Sequence, residues 1–366
     1  MNAPQRTRAT YAFQPVDRLV RREFYIWPEA IQRWKTEGMA HDADPGELFG
    51  WDPPAEVGVG NLGWTAPPLV PAFDSEVIES ADDYEIVRDD AGRLVKCFQG
   101  KRHGFMPTYL KHAVTGDDDW QRDVAPRLAV DTPGRMQAVD ETVAQRAEDV
   151  AAGRVLLLNG IGGYMYLRSL VGPEEICYLF LDNPDLVHRM MQAWLELFDA
   201  VAARAQRTLA IDGVFLAEDI AYNHGLLISP EMVREFLFPY YRQLLDNVRR
   251  RQQPDVMLMV DTDGNCDEAI PLHREIGLHV MCPFEVAAGN DVVAQGRQYP
   301  DLVLTGGIDK RVLAAGPDAI DRHLEAIVPA MVRRGGYIPT CDHGVPDDVS
   351  FANYMHYRKR MMEIDH

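Results

Sequence analysis

Cysteine is scarce and never paired in the sequence. The five residues Cys97, Cys177, Cys266, Cys282 and Cys341 are scattered, and none stands in a C-x-x-C spacing. An odd, dispersed set in a long chain predicts reduced thiols and a cytoplasmic protein. Long apolar runs are missing, so no segment is expected to span a bilayer. The opening "MNAPQRTRAT" lacks the apolar core that a signal peptide needs. Positive charge is in deficit: 37 Lys and Arg against 56 Asp and Glu leave a formal net charge of -19. Such a chain repels nucleic acid and anionic membrane, and neither is expected as a partner. No G-x-G-x-x-G follows a strand. "NGIGG" (Asn159 to Gly163) only approximates one, without an acidic ribose partner, so a dinucleotide is not expected. Low-complexity tracts and internal repeats are absent too.

What remains is ample material for a core, with 46% hydrophobic residues in 366. That length fits one α/β barrel with insertions. Residues 1–20 are polar and expected to be loosely held. Residues 21–366 are expected to form a single barrel domain. Its first hundred residues are rich in Pro, Gly and Trp ("GWDPPAEVGVGNLGWTAPPLVP"), which predicts an irregular extension that shapes the pocket. Within it "YEIVRDDAGRLVKCF" predicts a β-hairpin.

After about residue 130 the pattern alternates strand and helix. "VLLLNG", "GVFLAED", "VMLMVDTDG", "LHVMCPFE", "LVLTGGID" and "YIP" read as strands, with helical stretches between them. One helix start is well marked by Ser229, Pro230 and Glu231. The strands are apolar on both faces, which predicts a parallel sheet covered by helices. The expected fold is a TIM-type (β/α)8 barrel.

Polar residues gather where these strands end: Asn159; Glu218 and Asp219; Asp261 and Asp263; Cys282 and Glu285; Asp309; and Cys341, Asp342 and His343. In a parallel barrel all such ends open on one face, where barrel enzymes place their chemistry. Asp261 and Asp263 are two apart on an extended segment and point the same way. Two like charges so close need a cation, a positive substrate group or a shared proton. Each residue also has a plainer reading. Asp309 serves equally well as a helix cap, Cys282 as a small core residue, and His343 as a turn histidine. His188, His273 and His323 lie in helical patterns and read as structural. Arg168, in "GGYMYLRSL", is a candidate anion anchor.

The stretch "TGGIDKRVLAAGPDAIDRHLEAIVPAMVRRGGYIPTCDHGVPDDVSFANYMHYRKR", with "FLAEDIAYNHGLLISPEMVREFLFPYYRQL" and "VDTDGN", resembles the uroporphyrinogen decarboxylase-like superfamily. The resemblance implies a barrel and two branches of activity. The decarboxylase branch needs no cofactor and holds a polycarboxylate through a Met-Arg-Gln-Ala-Gly-Arg segment, which this chain lacks. Its predicted mouth is instead acidic, with Glu218, Asp219, Asp261, Asp263, Glu285 and Asp309. The methyltransferase branch uses zinc held by His-x-Cys and a later Cys. Asp261-Thr262-Asp263 stands where His-x-Cys would be, and Cys341 falls close to the later Cys.

The resemblance therefore implies first a methyltransferase. It would move a methyl group from a small methylated substrate to a corrinoid protein or another acceptor. Asp261, Asp263 and Cys341 would hold zinc or another divalent metal. Asp263, His343, Glu218 and Asp219 would be catalytic, and Arg168, Asn159, Glu285, Asp309 and Asp342 would contact substrate. The alternative is a cofactor-independent decarboxylase of a small aromatic or pyrrole acid. There Asp263 and His343 would exchange protons, and Arg168, Lys310 or Arg311 would anchor the carboxylate. A non-catalytic small-molecule binder is the third reading. The resemblance also implies a homodimer.

Overall fold

Runs of Val, Leu and Met set the framework. The computed structural model describes residues 1–99, 107–253 and 255–366. Its strands are β1 (Glu56–Leu62), β2 (Glu76–Ser80), β3 (Tyr84–Arg88), β4 (Leu94–Phe98), β5 (Thr108–Lys111), β6 (Val155–Ile161), β7 (Gly213–Ala217), β8 (Ala221–Tyr222), β9 (Gly225–Leu226), β10 (Met257–Asp261), β11 (Leu278–Cys282), β12 (Val303–Thr305) and β13 (Tyr337–Ile338). Seven of them form one sheet in the order β1-β6-β7-β10-β11-β12-β13, and every pairing in it is parallel. Helices fill the connections, as Pro184–Ala205, Phe238–Arg251 and Pro317–Arg334 show. The helix signalled at Ser229 does start there, with Ser229 Oγ accepting from the Met232 amide at 3.2 Å. It then takes a π turn, Val233–Leu237, just ahead of Pro239. Proline has no N–H for the usual i→i−4 bond, and a wider turn accommodates the loss.

Alternation along each strand divides the core in two. Leu156, Leu158, Val214, Leu216, Leu258, Val260, Leu304 and Tyr337 point outward into the large cluster beneath the helices. Val155, Leu157, Met259, Val280, Val303 and Ile338 point inward and meet in a second cluster. Side chains from five strands converging on one interior require a sheet that curls, as in a TIM barrel. Among the described residues no ladder joins β13 directly to β1. The segment 19–27 runs through that seam instead. On one side the Asp52 amide donates to Arg21 O (2.7 Å), and Arg22 pairs with Glu56 (2.6 Å). On the other, Ile26 and Val345 form a parallel bridge, and Glu23 Oε1 accepts from the Cys341 amide at 2.7 Å.

The first residues differ from the loosely held segment expected. Ala3–Tyr11 is a helix with a capping box between Asn2 and Gln5. Arg6 is buried and pairs with Asp17 (2.8 Å) and Asp52 (3.0 Å), while Tyr11 joins the inner cluster. The polar composition that suggested looseness is used in ion pairs with Asp17, Asp52 and Asp212. Before β6 lies a separate antiparallel sheet, β2-β3-β4-β5. In it β3 and β4 pair from Tyr84↔Phe98 to Arg88↔Leu94 around the turn at Asp89–Gly92. No helix among the described residues is long and apolar enough to cross a membrane.

Candidate active site

Strand parity sorts the residues at the strand ends. Asp261 continues the inward series of Met257 and Met259. Across the sheet it lies level with Ala217 on β7 and Cys282 on β11. Asp219 continues the inward series of Phe215 and Ala217, in a left-handed conformation (φ 45°) that a non-glycine residue adopts at a cost. Asp263 follows one step beyond Asp261, on a turn that needs Gly264. There φ is +84°, and a Cβ would fall 2.6 Å from the Tyr222 amide nitrogen.

Asp219, Asp261, Asp263, Arg168 and His343 line one cavity of about 1020 Å³. Two of the three carboxylates have a basic side chain beside them. Arg168 makes a close ion pair with Asp219, and His343 Nε2 is 3.5 Å from Asp263 Oδ2. Asp261 is 8% exposed, and the side-chain hydrogen bond it accepts comes from the Cys282 thiol at 3.4 Å. Burial, with Asp263 adding to it, raises the Asp261 carboxyl to about 7. The hydrogen bond with Asp263 raises the His343 imidazole, against the opposing effect of burial. Burial also raises Asp219, partly offset by Arg168. Phe24, Tyr25 and Trp27 stand around His343, with ring centres 5.7, 6.1 and 6.4 Å away.

Other expected site residues are not on this wall. Glu218 has the outward parity of Val214 and Leu216 and is fully buried. Its carboxylate accepts from the Tyr164 amide (2.9 Å) and from the Tyr241 hydroxyl, at the start of helix Gly163–Val171. Burial raises it to about 7. Asp342 is fully buried and accepts from the Val286 (2.8 Å) and Lys310 (3.0 Å) amides, tying three loops together. Glu285 pairs with Lys310 at 2.8 Å. Asp309 caps helix Lys310–Ala315 and pairs with Arg311 at 2.8 Å. Asn159 follows the inward parity of Leu157 but packs against Gly58, off the cavity wall, with its Oδ1 unpartnered. The mouth is thus less acidic than expected, because Glu218, Glu285 and Asp309 are engaged elsewhere. Of the three cationic candidates only Arg168 reaches the cavity.

Cys341 shares the parity of Tyr337 and points into the outer cluster, fully buried. Burial pushes its thiol well up, and Glu23 and Asp342 add to this. The expected set of Asp261, Asp263 and Cys341 is not brought together. Among the described residues no three His, Cys, Asp or Glu side chains stand close enough to hold a metal ion. The residues present do not fit the zinc site that the resemblance implied.

Several wall residues were not foreseen. Phe24, Tyr25 and Trp27 come from the seam segment, Trp64 and Thr65 from just after β1, Arg93 from just before β4, Tyr109 from β5 and His112 from just after it. Their one sequence signal was the aromatic density of the N-terminal third.

The model of the uroporphyrinogen decarboxylase family matches residues 103–363. A uroporphyrinogen decarboxylase from Geobacter metallireducens is 26% identical over 56% of this chain and 59% of its own. Another, from Hydrogenobaculum sp., is 20% identical over 39% of this chain and 40% of its own. The chain therefore spans about half the length of the curated relatives it matches. Among solved structures, a methyltransferase from Methanosarcina mazei covers 99% of both chains with a TM-score of 0.55 and 15% identity, a likeness of fold alone. With the family match running over most of its length, the chain belongs to the uroporphyrinogen decarboxylase family.

Proposed function

We propose that this protein is an acid–base decarboxylase of a small aromatic or pyrrole carboxylic acid. One observation carries the reading. Asp261 is a buried carboxyl raised to about 7, and it lines a cavity in which Asp219 and Asp263 already have basic side chains, Arg168 and His343, beside them. A neutral acid in such a place is a proton donor. Membership of the family supports the same class of reaction.

In this reading the substrate ring lies among Phe24, Tyr25 and Trp27. Arg168, oriented by Asp219, and the His343 imidazolium, oriented by Asp263, receive its carboxylate. Asp261 gives its proton to the ring carbon that bears the carboxylate. The bond to the carboxyl carbon then breaks, its electron pair returns to the ring, and carbon dioxide leaves. Asp261 regains a proton from water. Net, one proton replaces one carbon dioxide. An aromatic wall favours the step, because a charged carboxylate becomes a neutral gas.

Methyl transfer to a corrinoid carried by a partner protein is the second reading. The cavity's size favours it, since about 1020 Å³ exceeds what a single-ring acid fills.

The test is a panel of aromatic and pyrrole acids in deuterated water. The expected result is carbon dioxide equimolar with a product bearing one deuterium at the former carboxyl carbon. Turnover should fall as pH rises above about 7, where Asp261 loses its proton. Methyl transfer to free reduced cobalamin, with no carbon dioxide from any acid, would overturn the proposal in favour of the second reading.

A further inference from the structure

Part of the cavity wall comes from residues before 103, where the family match begins. Trp64 lies flat on Phe215, with ring centres 5.4 Å apart and planes 16° apart, yet it remains 43% exposed. An exposed indole held flat in a cavity wall is a stacking platform for a planar ligand.

Arg93 stands just before β4. Asp89 fixes it by accepting from its backbone amide at 2.8 Å and from Nε at 2.7 Å. Nη1 reaches Ser169 Oγ (3.3 Å) and Thr65 O (3.4 Å), and the guanidinium carbon lies 5.2 Å from the centre of the Tyr109 ring. Nη2 makes none of these bonds. The side chain is 12% exposed, so its charge is held at the cavity wall rather than in solvent. Ser169 follows Arg168 on helix Gly163–Val171, and Arg93 and Arg168 both line this cavity. A purely structural role, tying the hairpin to the barrel, accounts for the bonds to Ser169 and Thr65. It does not account for Nη2, which donates no hydrogen bond among the described residues, or for the exposed surface of Trp64, which borders this cavity and a neighbouring one.

We propose that Arg93 and Trp64 form a second subsite of the cavity. It takes a planar acid that carries a second anionic group, remote from the carboxylate that is lost. The inference rests on the decarboxylase reading, in which Arg168 anchors the first carboxylate.

Calorimetric titration with naphthalene-2,6-dicarboxylate and 2-naphthoate tests it without turnover. The dicarboxylate is expected to bind the wild-type protein about tenfold more tightly, the worth of one charge-assisted contact. In Arg93→Gln the ratio of the two affinities should fall to about one, with thermal melting confirming the fold. If that variant does not fold, Arg93→Lys keeps the charge but loses the fork, and its ratio should drop about threefold. Arg168→Gln should weaken both acids. A wild-type ratio near one, or a ratio unchanged in a folded Arg93 variant, overturns the subsite. If Arg168 dependence survives that result, the decarboxylase reading stands. If neither acid binds, or Arg168→Gln changes nothing, both fall together.

Discussion

Strands β10 and β13 end alike in sequence and unlike in space. "VDTDG" places Asp261 and Asp263 on the cavity. "YIPTCDHG" places only His343 there, while Cys341 enters the outer core and Asp342 binds two loop amides. The difference is one of parity. Asp261 follows two inward methionines, whereas Cys341 follows the outward Tyr337. Strand β7 repeats the lesson within two adjacent residues, since Glu218 goes out and Asp219 goes in. A reactive side chain at a strand end joins the site only if its strand turns it inward.

The largest effect that could break this comparison is expected from Asp261→Asn. It should lower turnover about a thousandfold while the fold survives, within the range of a lost general acid. On the outward side, Glu218→Gln should act on stability instead. The Glu218 carboxyl titrates at about 7 in the fold against an ordinary 4.5, so the protonated form is the one that favours folding. Its contribution is full below pH 4.5 and is lost as pH rises to about 7, by up to roughly 3 kcal/mol. Thermal melting from pH 4.5 to 8 should show a shallower decline in the variant. A turnover loss matching that of Asp261→Asn would contradict the assignment. His343→Asn comes next, with turnover lower by about a hundredfold. Smallest is Cys341→Ala, which should cost about 1 kcal/mol of stability and leave turnover unchanged.

Much of the fold was legible. Alternating apolar runs announced the parallel sheet, and Asp-Asp-Ala-Gly between β-formers marked the hairpin. The docked first helix was not legible, because Arg6 reads as a solvent-facing residue until Asp17 and Asp52 close around it. In the site, the strand ends were found but not sorted. Parity was available in principle, since Cys341 is four residues from Tyr337, but which face was inner needed the curled sheet. Arg93 and Trp64 reach the cavity across long sequence gaps, and no local pattern could have placed them.

The most direct test of the central claim compares carbon dioxide release by wild type, Asp261→Asn and Cys341→Ala, each in the presence of a strong chelator. A general-acid role for Asp261 predicts equal release from wild type and Cys341→Ala, and a loss of about a thousandfold in Asp261→Asn. It would be contradicted if Asp261→Asn kept the wild-type rate. It would equally be contradicted if chelator and Cys341→Ala each abolished a rate that added zinc restored to wild type alone.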